Sequence, residues 1–343
     1  MRQITTALKS SKTATVLALS LAALYGATEF GEHPVQQAGA AIPSKVQLST
    51  LPYAYDPQKT TGLIVPRPNL RPTNLPFIEQ PYQISVVSLT ESWSGMSFDI
   101  DKIRLGQEVP RYFVEEMPVD ILDVTQVQLR KKVFLSVTLP LILKANEEIL
   151  ARRSRLQQIM SVQDLEATLS PSDTNWIAQL TELYGSKPGD LNDLLERVDV
   201  IPVSLALAQS IEESGWGTSR FAREGNALFG QRVWSAGNGI VPHEREGGML
   251  YEVKAFDALY QSIYSYIHNL NSHKAYEGMR FERARLKSEN GFVSGYALSG
   301  TLQSYSERGA DYIDALRALM RVNKLSQFEN TQLVPEQVAQ IFN

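Results

Sequence analysis

No cysteine occurs anywhere in the 343 residues. A disulfide framework, a thiolate zinc site and a cysteine nucleophile are excluded together. Histidine is nearly as scarce. His33, His243, His268 and His273 are the full set, and no two stand in a metal-ligand spacing such as His-x-x-x-His, so they read as structural or surface residues. Neither a Gly-x-Ser-x-Gly elbow nor a phosphate-binding glycine loop is present, which removes the usual sequence marks of serine hydrolases and nucleotide enzymes. Basic excess is missing too. Thirty-three Lys and Arg face 37 Asp and Glu, a net charge of -4, so nothing calls for a nucleic-acid partner. No apolar run reaches the roughly 20 residues that span a bilayer comfortably, and there is no internal repeat.

What the chain does have begins at its N-terminus. Arg2, Lys9 and Lys12 precede the apolar run "TATVLALSLAALYGA", Thr13 to Ala27. Basic residues followed by a short apolar stretch predict an export signal, either cleaved or kept as an inner-membrane anchor. The expected location is therefore the periplasm. The following stretch, to about Pro81, is dense in Pro, Thr and Asn without a sustained period. Proline at this density blocks helix and central strand alike, so the stretch reads as a tether or an extended arm.

Helical texture follows. In "VDILDVTQVQLRKKVFLSVTLPLILKANEEILARRSRLQQIM" (119–160) apolar residues recur at spacings of three and four, and Pro140 predicts a kink or a split within it. "SDTNWIAQLTELYG" opens on capping residues and closes on Gly185. "PGDLNDLLERV" is a further short helix, and "IPVSLALAQSIEESGWG" begins near Pro202 and ends at Gly215. Residues 232–257 change character, with glycines, a proline and β-branched and aromatic residues, and predict a small β-lobe with a loop at 242–248. Helix returns in "DALYQSIYSYIHNLNS", where Leu259, Ile263, Ile267 and Leu270 share a face, and again near 310–322 with Ile313, Leu316 and Met320 in line. The fold class read from this is mainly α with a small β insertion.

One stretch carries chemistry. In "IEESGWGTSRFAREGNALFGQ" (211–231), Glu212 and Glu213 stand side by side where a helix must end. A carboxyl that protonates a leaving group has to keep its proton near neutral pH. The negative end of a helix, a neighbouring carboxylate and burial against an aromatic all act in that direction. Glu213 shares its helix face with Ala206, Gln209 and Ser210, a small polar surface like a cleft wall, whereas Glu212 lies over Leu205 and Ala208. The face favours Glu213 as a site residue; an ordinary exposed acid pair is the competing reading.

The same stretch resembles the signature of the glucosaminidase domains in family 73 of the glycoside hydrolases, an A-Q-x-x-x-E-S-G-W-G-x-S helix end followed by N-x-[LW]-F-G. Gln209, Glu213, Ser214, Gly215, Trp216, Gly217, Ser219, Asn226, Leu228, Phe229 and Gly230 fill its positions. Further stretches, among them "RKKVFLSVTLPLILKANEEIL" and "YSERGADYIDALRALMRVNKL", resemble the Bax group of Gram-negative bacteria. The resemblance implies a lysozyme-like helical domain with a small β-lobe, preceded by a helical N-terminal section, acting on peptidoglycan without a cofactor. With the signal segment or anchor (1–28) and the Pro-rich linker (29–81) read from texture, the chain continues as a helical N-terminal section (82–165) and the glucosaminidase domain (166–343). By the same resemblance Glu213 is the essential acid. A second acid is expected in the β-lobe, where Glu244 and Glu246 are the candidates, Glu244 as a catalytic group and Glu246 as a substrate contact. Tyr312 corresponds to a cleft tyrosine able to position the substrate acetamido group or water, with Tyr305 nearby. Gln209, Ser214, Trp216, Asn226 and Phe229 are expected to shape the cleft and hold substrate. Two other outcomes stay open: a lytic transglycosylase working with a single Glu, and a module that grips glycan strands without cutting them.

Overall fold

A computed structural model of the chain describes residues 84–164, 168–233, 237, 239–242 and 251–336. The expected signal segment and linker lie outside these residues, and so do Glu244 and Glu246. The described residues all belong to one compact unit. Its helices are α1 (Val86–Gly95), α2 (Ile100–Ile103), α3 (Val127–Asp164), α4 (Pro171–Tyr184), α5 (Leu191–Arg197), α6 (Val203–Ser214), α7 (Arg220–Gly225), α8 (Leu259–Ser272), α9 (Glu277–Asn290), α10 (Gly295–Leu298) and α11 (Ala310–Val322). Between α7 and α8 three short strands, β1 (Arg232–Val233), β2 (Gly239–Ile240) and β3 (Glu252–Lys254), form an antiparallel sheet in the order β1-β3-β2. The architecture is thus the helical domain with a small β-lobe.

Local chemistry sets the ends of these elements. Ser170 caps α4 by accepting from the Asp173 amide, Pro171 stands at the first helical position, and left-handed Gly185 closes it. Ser219 does the same for α7 through the Ala222 amide, and left-handed Asn226 ends that helix. In the β-lobe, the buried carboxylate of Glu252 accepts from the backbone N–H groups of Gly237 (3.0 Å) and Gly239 (2.9 Å) and so organises the turn into β2.

Helix α6 is the centre of the core. Every residue from Val203 to Ile211 is buried, as a helix apolar nearly all round requires. It is packed by α3, α10, α11 and the 3-10 turn at Leu325–Phe328. Removing Leu205, Leu207 or Ile211 from water contributes about 1.5–3 kcal/mol each. Pro140 does not split its helix: α3 runs unbroken for 38 residues. An interior proline costs ~3 kcal/mol, but Val137, Leu139, Leu141 and Ile142 around it are almost fully buried, and packing against α6 and α8 outweighs that local penalty.

A second buried element holds the scaffold. Arg283 of α9 has no exposed surface to speak of, 1%. Its guanidinium donates to the backbone carbonyls of Glu196, Asp199 and Val200 and to Asn271 Oδ1, at 2.7–3.2 Å. Burial pulls its pKa down to about 10, still far enough above neutral for the charge to remain. The knot ties α9 and α8 to the chain that joins α5 to α6.

Candidate active site

The last turn of α6 delivers the acid pair and then reverses at once. Gly215, Trp216 and Gly217 take three consecutive left-handed conformations, with φ of 58°, 61° and 76°. Two of the three are glycine, which adopts this region without strain. Gly217 is also fixed by space, because a Cβ there would overlap the Met117 methyl and stand 3.1 Å from Phe134 Cδ2. The buried Ser214 hydroxyl donates to the Ser210 carbonyl and accepts from the Gly217 amide at 3.0 Å, pinning both ends of the turn. Trp216 turns away from the acids to meet Phe134 edge-on at 5.8 Å, with the Lys131 ammonium 4.9 Å from its ring centre.

Glu213 is reached from α11. The Tyr312 hydroxyl donates to Glu213 Oε1 at 2.9 Å. Gln209, one turn back on α6 and fully buried, donates from Nε2 to the same phenolic oxygen at 3.0 Å. The Gln209 carbonyl in turn accepts from the Tyr266 hydroxyl at 2.6 Å. The three bonds run in one direction, Tyr266 to Gln209 to Tyr312 to Glu213. Because Gln209 occupies the phenolic oxygen as donor, the Tyr312 proton is left to point at Oε1. The other oxygen, Oε2, has no bonding partner among the described residues and faces Gly230, where a Cβ would stand 3.6 Å away. Phe229 stacks flat on Tyr266 at 3.8 Å, and a run of rings, Tyr276, Tyr305 and Tyr312, continues along the wall with centroids 6.0 and 5.5 Å apart.

This setting raises the Glu213 carboxyl above the usual glutamate range. Burial is the largest cause, the bond from Tyr312 opposes it, the charge of Glu212 adds to it and the charge of Arg308 opposes it. Burial and the Glu213 carboxylate together push the Tyr312 phenol far up, so it is a neutral donor. Glu212 has a different partner. Its Oε1 accepts from Arg308 Nη1 at 2.6 Å across the turn that precedes α11. The two adjacent carboxylates are therefore held by two residues one helical turn apart in the chain, Arg308 and Tyr312, one charged and one neutral.

Of the residues singled out from sequence, the structure brings Glu213, Tyr312 and Gln209 into direct contact and sets Phe229 behind them through Tyr266. Gln209, Ser214, Asn226 and Phe229 are buried and spend their contacts inside the protein. The Asn226 side-chain amide donates to the Phe256 carbonyl at 3.2 Å and secures the exit from the β-lobe. Trp216 packs on α3. Each of them thus packs against the protein's own elements around Glu213. Tyr266, Tyr276 and Arg308 went unnoticed in the sequence. The tyrosine-rich run of α8 was the available signal for the first; Arg308 carries no local mark, since its partner lies 96 residues away. Among the described residues there is no cluster of three or more His, Asp or Glu that could hold a metal ion.

Glu213 is thus a partly buried acid at the end of α6, facing Gly230 just ahead of the small β-lobe. Residues 189–325 match the family model for glucosaminidase, described as mannosyl-glycoprotein endo-beta-N-acetylglucosaminidase. The protein Bax of Escherichia coli (strain K12) is 32% identical over 201 residues, covering 57% of this chain and 70% of that protein. No solved structure matches the chain. The chain belongs to the Bax-like family of glucosaminidase-domain proteins, and a glycan is its class of substrate.

Proposed function

We propose that the chain is an exported peptidoglycan hydrolase, an endo-β-N-acetylglucosaminidase with Glu213 as general acid. The observation that carries this reading is the placing of the Glu213 carboxyl, partly buried at the end of α6, with Oε1 engaged by Tyr312 and Oε2 facing Gly230. Since Oε1 accepts the Tyr312 proton, the acid's own proton resides on Oε2. From there it passes to the glycosidic oxygen as the bond to the anomeric carbon breaks, leaving Glu213 ionised. The positive charge that develops on the sugar is met by a β-lobe carboxylate, Glu244 or Glu246, or by the substrate's N-acetyl oxygen. Carboxyls about 5 Å apart give a covalent retaining route and those about 6.5–9.5 Å apart a water-mediated inverting one. Export is supported by the basic residues ahead of the apolar run at 13–27.

The test is digestion of purified peptidoglycan by the full chain, wild type beside Glu213→Gln, with products reduced by borohydride and read by mass spectrometry. Fragments ending in reduced N-acetylglucosamine, from wild type only, are the expected result. Anhydro-muramyl ends would instead assign a lytic transglycosylase. If neither protein cuts and both sediment with the sacculus, a binding module replaces the enzyme.

A further inference from the structure

Two acids adjacent in sequence are sorted by two residues spaced four apart. Arg308 and Tyr312 lie on the turn into α11 and on its first helical turn, and each reaches one of the carboxylates that end α6. The turn carrying Arg308 is tight. The Gly309 amide donates to the Ser306 carbonyl, and the Arg308 amide donates to the Ser306 hydroxyl. The same turn begins at Tyr305, whose ring lies parallel to that of Tyr312. The Glu212 side chain is only 11% exposed while that of Arg308 is 49% exposed, so the guanidinium covers Glu212 from the solvent side.

We propose that Arg308 and Glu212 are positioning residues that set the pH range over which Glu213 keeps its transferable proton. This rests on the reading of Glu213 as the general acid. Arg308 and Glu212 are bonded to each other beside the acid, and the two charges act on Glu213 with opposite sign: Glu212 favours the protonated form and Arg308 the ionised form. While they are bonded to each other their effects largely cancel, and burial governs the acid. The remaining groups that face Glu213 are neutral phenols: Tyr312 on α11, Tyr305 on the preceding turn, Tyr276 on the 3-10 turn after α8, and Tyr266 on α8. The β-lobe segment with Glu244, Arg245 and Glu246 lies outside the described residues. Among the described residues the ion pair is thus the charged control on the acid from α6 and α11, and its guanidinium is half exposed.

The prediction is that breaking the pair from its two ends moves the acid in opposite directions. In the full chain, the Glu213 carboxyl is followed by ¹³C NMR against pH, together with the pH profile of peptidoglycan solubilisation. Arg308→Gln should leave Glu212 unopposed and shift the Glu213 titration and the alkaline limb upward by roughly half a pH unit. Glu212→Gln should leave Arg308 unopposed and shift both downward by a similar amount. Arg308→Lys should restore a titration close to wild type. Shifts of the same sign in the two glutamine variants, or none, overturn the proposal, since a structural role alone cannot reverse its sign. Opposite NMR shifts in a protein that cuts no peptidoglycan would uphold the pair's effect on Glu213 and overturn the catalytic reading instead.

Discussion

Two polar networks among the described residues use similar parts to different ends. Around Arg283 every contact runs inward, from a guanidinium to three backbone carbonyls and one amide oxygen. Around Gln209 the chain of bonds runs outward, from Tyr266 through Gln209 and Tyr312 to a carboxyl whose second oxygen faces Gly230. A closed network fixes position; an open one also fixes direction, because each donor determines where the next proton points. On the proposed reading reactivity belongs to the open network, and the closed one keeps the helices that frame it in register.

The sharpest way to break the comparison is at its open end. Glu213→Gln should reduce turnover on peptidoglycan about 10²–10⁴-fold, the range for a lost general acid, while circular dichroism shows an intact fold. At the closed end the effect should be the reverse. Arg283→Met leaves buried carbonyls unsatisfied and should lower stability by about 3–5 kcal/mol in urea unfolding, with solubilisation by the folded fraction close to wild type at low temperature. Between them lies Tyr312→Phe, which deletes the donor to Oε1 and keeps the ring stacked on Tyr305. A drop in kcat of about tenfold, one hydrogen bond's worth, with little change in KM, is expected.

The smallest effect concerns pH and stability. The unfolded chain's Glu213 titrates near the ordinary glutamate value of about 4.3, and the folded one higher. Between the two values the folded protein holds the extra proton, so its stability falls as pH rises through that window and stays lower above it. Glu213→Gln does not titrate. Its Tm relative to wild type should therefore climb as pH is raised from about 4 through the folded value, then level off. A Tm difference independent of pH would mean that burial does not raise this carboxyl.

Much of this frame was legible in the sequence because the determinants are local. Ser170, Pro171 and Gly185 bound α4, the period of Leu259, Ile263, Ile267 and Leu270 marks the buried face of α8, and the face shared by Glu213 and Gln209 is the one that meets Tyr312. The glycines and β-branched residues after Gln231 foretold the β-lobe. What was not legible depends on distance or on packing. Nothing near Arg308 announces Glu212. The unbroken course of α3 through Pro140 is decided by α6 and α8, which a local reading of proline does not weigh. Gln209, Ser214, Asn226 and Phe229 stand in a motif, which marks them as needed without saying whether they face substrate or hold the wall behind it.

The Gly-Trp-Gly turn after the acid has a bearing on how this site can travel between proteins. Its backing comes from Met117, Lys131 and Phe134, all of which precede the matched segment 189–325. A recombination event, or an engineer, that moved only that segment would carry Glu213 and Tyr312 but leave behind the surface that holds the reversal in place. Transplanting the site therefore means grafting α3 and the chain before it as well, and in this protein the unit of inheritance is wider than the family signature.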